Sequence, residues 1–117
     1  MEIKSAAQSL AALGHETRLG IFRLLIQAGP GGVNAGHICE KLEIPPATLS
    51  FHLAHLSRVG LIYGRQEGRF IYYVADYAAM NALLRYLTDN CCLGGQCLPK
   101  SAAIPTMIKR RRTASAR

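Results

Sequence analysis

Residues 47–62 read "ATLSFHLAHLSRVGLI" and residues 64–74 read "GRQEGRFIYYV". The hydrophobic period changes between them. Leu49, Leu53, Leu56 and Val59 recur at spacings of four, three and three, which predicts a helix over about 46–59. Pro46 suits its first position, where a missing N–H costs nothing, and Gly60 ends it. Beyond Gly60, "LIYGRQ" and "RFIYYVA" are rich in Ile, Tyr, Phe and Val, with "QEG" as a turn. That pattern predicts a β-hairpin with Arg65 and Arg69 flanking its tip.

Upstream, Asn34 is a good N-cap for a short helix over 35–42 that turns Ile38, Cys39 and Leu42 inward. The "EIPP" segment joins it to the helix at 46, and "GPGG" at 29–32 is a loop. A helix from Glu16 to Ala28 places Leu19, Phe22, Leu25 and Ile26 on its buried side. A first helix over about 2–12 repeats Ile3, Ala6, Ala7, Leu10 and Leu13. Downstream, Asp76 caps a last helix over about 77–90 with Met80, Leu83, Leu84 and Leu87 on one face. The chain is therefore expected to be mainly α with a β-hairpin, in the order α-α-α-α-β-β-α. Apolar positions on the first and last helices, Ile3, Leu10, Met80, Leu84 and Leu87, are left over after the core is packed and predict a homodimer interface.

The net charge of +7 points to an acidic partner. Its distribution qualifies that statement. Residues 100–117 hold six basic side chains and no acid, whereas residues 1–99 hold eight basic and seven acidic ones. A folded domain over 1–98 and a basic, disordered tail over 99–117 are expected. No segment approaches the roughly 18 apolar residues that span a bilayer, and residues 1–13 resemble an amphipathic helix rather than a signal peptide. A cytoplasmic protein without membrane contact is expected. No phosphate loop, catalytic dyad or second domain for a substrate is present, so an enzyme is not expected.

Two short helices joined by a tight turn and followed by a basic hairpin match a winged helix-turn-helix. A recognition helix needs one apolar face to anchor it and one small or polar face to approach base edges of double-stranded DNA. Leu49, Leu53 and Leu56 supply the anchor. Pro46, Ala47, Thr48, Ser50, Phe51 and His55 form the outer surface, with Arg58 in the last turn. His52 is either a DNA contact or a satisfied buried histidine beside Leu49 and Leu53. Phe51 either packs on a thymine methyl or folds back into the protein. Arg65 and Arg69 on the wing can reach phosphate or a narrow minor groove.

With "LGHETRLGIFRLL" at 13–25 upstream, these segments in order resemble the ArsR/SmtB family of metal-responsive winged helix-turn-helix repressors, over residues 2 to about 90. The resemblance implies a homodimer on operator DNA, released when a metal or metalloid binds. Two departures stand out: Phe51 lies where the family carries a polar or basic side chain, and Pro45 where a Ser cap is common. Arsenic-responsive members resemble one another in a cysteine trio before the recognition helix. The matching stretch here, "NAGHIC", keeps only Cys39, which reads as a core residue. The paired histidines of zinc-sensing relatives are absent from the last helix, because no His lies beyond residue 55.

A second thiol cluster stands at "CCLGGQC", 91–97. Cys91 continues the stripe of Leu84 and Leu87, Cys92 follows, and Gly94-Gly95 lets the chain double back so that Cys97 joins them. In a reducing cytosol such a cluster more often binds metal or is redox-active than stably bridged. Three soft donors without an evident fourth suit As(III), with Sb(III) possible, as inducer. Cadmium, lead, copper(I), zinc and a redox response through the same cysteines remain alternatives. No organic cofactor is expected.

Overall fold

The computed structural model describes residues 1–94. Residues Met1–Leu87 form one compact unit and a second begins at Thr88; the expected boundary at 98/99 and the basic tail lie outside the described residues. The elements are α1 (Ile3–Leu13), α2 (Glu16–Ala28), β1 (Val33–Asn34), α3 (Ala35–Leu42), α4 (Pro46–Arg58), β2 (Ile62–Glu67), β3 (Phe70–Ala75) and α5 (Tyr77–Thr88), followed by a 3-10 turn at Cys91–Gly94. This is a winged helix-turn-helix, mainly α with a β-hairpin, as expected.

Local chemistry sets most of the boundaries. His15 Nδ1 accepts a hydrogen bond from the Thr17 N–H at the start of α2. Asn34 Oδ1 accepts from the His37 N–H and opens α3, and Asp76 Oδ1 accepts from the Ala79 N–H and opens α5. Each cap satisfies one of the four N–H groups that a helix start leaves without a partner. At α4 the proline pair replaces a cap, with Pro46 at the first position and no side-chain bond from Pro45. Glu43, in the left-handed region at φ 55°, closes α3 and aims the chain into the turn before α4.

The hairpin pairs β2 with β3 antiparallel from Ile62↔Ala75 to Glu67↔Phe70, so Gly68 and Arg69 form a two-residue turn. Gly68 takes φ +62° there, a conformation that glycine adopts without steric cost. Beyond the expected elements the structure adds β1, whose Val33 and Asn34 pair with Tyr73 and Tyr72, giving the sheet order β1-β3-β2. Gly32 makes this approach possible: a Cβ there would lie 2.9 Å from the Tyr73 carbonyl oxygen.

The core gathers Ile21, Phe22 and Leu25 of α2, Ile38 of α3, Leu49, Leu53 and Leu56 of α4, and Leu61, Ile62 and Ala75 of the wing base. Each fully buried Leu or Ile contributes about 1.5–3 kcal/mol relative to exposure. One sequence expectation fails within α2. Leu19 is exposed and Ile21 is fully buried, because the face that meets α3 and α4 runs through Ile21 and Leu25, one helical turn apart.

Candidate nucleic-acid interface

Helix α4 divides its residues cleanly. Leu49, His52, Leu53 and Leu56 are buried, while Pro46, Ala47, Thr48, Ser50, Phe51, Ala54, Ser57 and Arg58 are exposed and His55 is half-buried. From Pro46 to Arg58 the helix carries no acidic residue, and Arg58 lies in its last turn. A helix of this kind presents nothing that repels a phosphate backbone. A major groove is wide enough to admit an α-helix.

His52 is turned inward, with 6% of its surface exposed. Of the two roles open to it, a DNA contact or a satisfied buried histidine, this position fits the second. Its Nδ1 lies 3.2 Å from Arg18 Nη1. A guanidinium only donates, so Nδ1 accepts and the imidazole is neutral with its proton on Nε2. Burial, followed by the charges of His15, Arg18 and His55, holds the His52 pKa below its ordinary value of 6.5. Arg18 also donates from Nε to the Ala12 carbonyl at 2.7 Å, and the His15 ring lies 4.8 Å from that of His52. The end of α1, the start of α2 and the underside of α4 are thus joined through one polar cluster. The pKa of His55 is likewise lowered, by desolvation first and then by Arg18 and Arg58.

The two wing arginines differ. Arg65 donates to the Pro30 carbonyl at 3.0 Å, to the Gly31 carbonyl at 2.9 Å and to Glu67 at 2.9 Å, and its guanidinium carbon lies 5.8 Å from the centre of the Tyr72 ring. It fastens the loop before β1 to the wing, so the guanidinium expected to reach phosphate is already engaged by acceptors of its own chain. Arg69 sits exposed in the hairpin turn and forms no ion pair among the described residues. The fastening role of Arg65 has no local sequence signal, because two of its partners are carbonyls 34 and 35 residues upstream.

The positions assigned to a dimer interface are mostly exposed. Ile3 is 74% exposed and Leu87 54%, with Leu10 and Leu84 also open to solvent. Met80 instead packs half-buried against the core. Helix α5 buries only Leu83 fully.

In the second unit, Asn90 and Cys92 occupy the left-handed region at φ 57° and 54°. α5 therefore stops at Thr88, short of the expected end near residue 90, and Cys91 starts a 3-10 turn instead of continuing the helix. The Cys91 thiol lies 3.7 Å from Cys92 Sγ. Cys91 and Cys39 are free thiols, and Cys92 is disulfide-bonded. Cys97 lies outside the described residues. Among the described residues no group of three or more His, Cys, Asp or Glu could hold a metal ion. The Cys91–Cys92 spacing nevertheless suits a shared centre once Cys92 is reduced: two sulfurs 3.7 Å apart, each at a thiolate–metal distance of about 2.3 Å, subtend roughly 107°.

Comparison with known proteins agrees with this geometry. A helix-turn-helix domain family matches residues 13–64. The chain is similar to the transcriptional activator HlyU of Vibrio cholerae, 30% identical over 87 residues, covering 74% of this chain and 78% of HlyU. Its fold is similar to that of an ArsR-like transcriptional regulator from Rhodococcus sp. RHA1, at a TM-score of 0.64 and 31% identity over 72% of this chain and 76% of that one. It is also similar to the homodimeric winged helix-turn-helix DNA-binding domain of Mb0332 from Mycobacterium bovis, described as a possible ArsR-family regulator, at a TM-score of 0.60 and 27% identity over 83% of this chain and 90% of that one. No helix among the described residues is long and apolar enough to cross a membrane.

Proposed function

Because the chain belongs to the ArsR family of winged helix-turn-helix transcriptional regulators, we propose that it is a cytoplasmic repressor that binds operator DNA as a homodimer and lets go when As(III), or Sb(III), is captured by Cys91, Cys92 and Cys97. The observation that carries the DNA half is the acid-free outer face of α4, held outward by three buried leucines. Support for the dimer comes from the exposed apolar positions Ile3, Leu10, Leu84 and Leu87, and from the homodimeric state of the similar Mb0332 domain. A dimer sets two recognition helices about one turn of DNA apart.

Support for the ligand half is chemical. Three sulfurs stand within seven positions, two of them at a spacing that one soft centre can bridge. Ligation reshapes the segment that follows α5, which carries two of the proposed dimer residues, and so shifts the two reading helices out of register. DNA and metalloid then oppose each other through one coupling free energy, typically about 1–3 kcal/mol.

The 3.7 Å approach of the Cys91 and Cys92 sulfurs supports a second reading, in which the same thiols respond to oxidants. Native mass spectrometry of the fully reduced protein with arsenite and zinc in parallel separates the two. One arsenic per chain with three protons lost supports the trithiolate site. Absence of arsenic binding, with DNA release on oxidation alone, replaces it with the redox reading.

A further inference from the structure

The outer face of α4 is short of the side chains that usually read bases. Between Pro46 and Ser57 there is no Arg, Lys, Asn or Gln, so the bidentate contacts to guanine and adenine that dominate major-groove readout have no donor there. Hydroxyls are available from Thr48 and Ser50. The large side chain on that face is Phe51, 65% exposed, and it did not fold back into the protein. The residues four before and three after it, Ala47 and Ala54, are small and exposed. They leave its ring standing proud of the helix surface.

Phe51 is also braced. Its ring meets His52 edge-on, with centroids 5.3 Å apart and planes at 71°. His52 is itself held by Arg18, which is anchored on the Ala12 carbonyl. An exposed aromatic side chain fixed in this way loses little rotamer freedom on binding. Its apolar face suits one group in the major groove above others, the 5-methyl of thymine, which is the apolar marker among base edges.

We infer that Phe51 is a specificity-determining residue that reads a thymine 5-methyl group in each half-site, flanked by Ala47 and Ala54. The inference rests on the DNA-binding reading above. Removing one buried methyl weakens binding by about 3- to 5-fold.

The test begins with selection of binding sites for the reduced 117-residue chain from a random double-stranded library. Each thymine of the selected site is then replaced by uracil, which removes only the methyl. Wild type is expected to lose about 3- to 5-fold affinity at one thymine per half-site, and Phe51→Ala to be indifferent to that replacement. Arg58→Ala, which lowers affinity overall, is expected to keep the methyl dependence. Phe51→Leu, an apolar variant at the same exposed site, is expected to retain part of it. Equal losses for wild type and Phe51→Ala at every thymine overturn the inference while leaving DNA reading intact. Recovery of no preferred sequence by wild type overturns the DNA-binding reading and the inference together.

Discussion

Helices α4 and α5 are of nearly equal length, yet they place their apolar residues in different ways. Helix α4 buries Leu49, Leu53 and Leu56 and exposes small or polar residues around Phe51. Helix α5 buries Leu83 and leaves Leu84 and Leu87 in solvent. The first pattern fits a helix fully anchored to its own domain with its other face offered to a polar, grooved partner. The second fits a helix whose anchoring is incomplete until another apolar surface covers it. An amphipathic helix therefore indicates its partner by what it leaves exposed as much as by what it buries.

Removing the anchor of α4 has the largest expected effect. Leu56→Ala is expected to destabilise the fold by about 2–5 kcal/mol, measured by urea unfolding, because Leu56 is fully buried at the centre of the cluster. Leu87→Glu is expected to change the unfolding of the domain little while shifting the particle from dimer to monomer in sedimentation equilibrium. A Leu87→Glu dimer of unchanged strength would show that α5 is not the dimer seam.

The wing supplies a smaller contrast. Arg69→Ala is expected to lower the salt slope of DNA binding by about one unit, which is a loss of a few-fold in affinity near physiological salt. Arg65→Ala is expected to leave that slope nearly unchanged, since its guanidinium is engaged by the Pro30 and Gly31 carbonyls and by Glu67.

The smallest effect concerns pH. The pKa of His52 is lowered in the folded protein below its ordinary 6.5, so the unfolded chain binds the proton more readily. The stabilisation is complete above pH 6.5 and is lost as pH falls from there through the folded pKa. Thermal unfolding between pH 7.5 and 5.5 is expected to show a falling midpoint, and His52→Gln to flatten that fall. A midpoint that rises on acidification would contradict the buried, neutral imidazole.

Much of this was legible in the sequence where local chemistry decides. Asn34, Pro46 and Asp76 start their helices as expected, and the change from helical to alternating period locates the wing. Long-range partners decided the rest. Strand β1 is two residues long and exists because Gly32 lets the chain close on Tyr73. The buried face of α2 runs through Ile21 rather than Leu19 because α3 and α4 approach from that side. His52 carried a signal that the sequence left open, a histidine set between two leucines. Its inward turn follows from Arg18, 34 residues away. Arg65 carried no signal, since two of its partners are backbone carbonyls of a distant loop. The early stop of α5 rests on Asn90, whose short polar side chain tolerates the left-handed conformation, and the apolar stripe running on to Cys91 masked it.

Whether the thiols are coupled to DNA binding is decided by a DNA-release titration. Reduced protein bound to a fluorescent duplex carrying its selected site is titrated with arsenite, beside a Cys97→Ala variant that binds the same duplex. Wild type is expected to be released near one arsenite per chain and the variant to be retained. Release of both proteins alike, or of neither, would contradict the coupling.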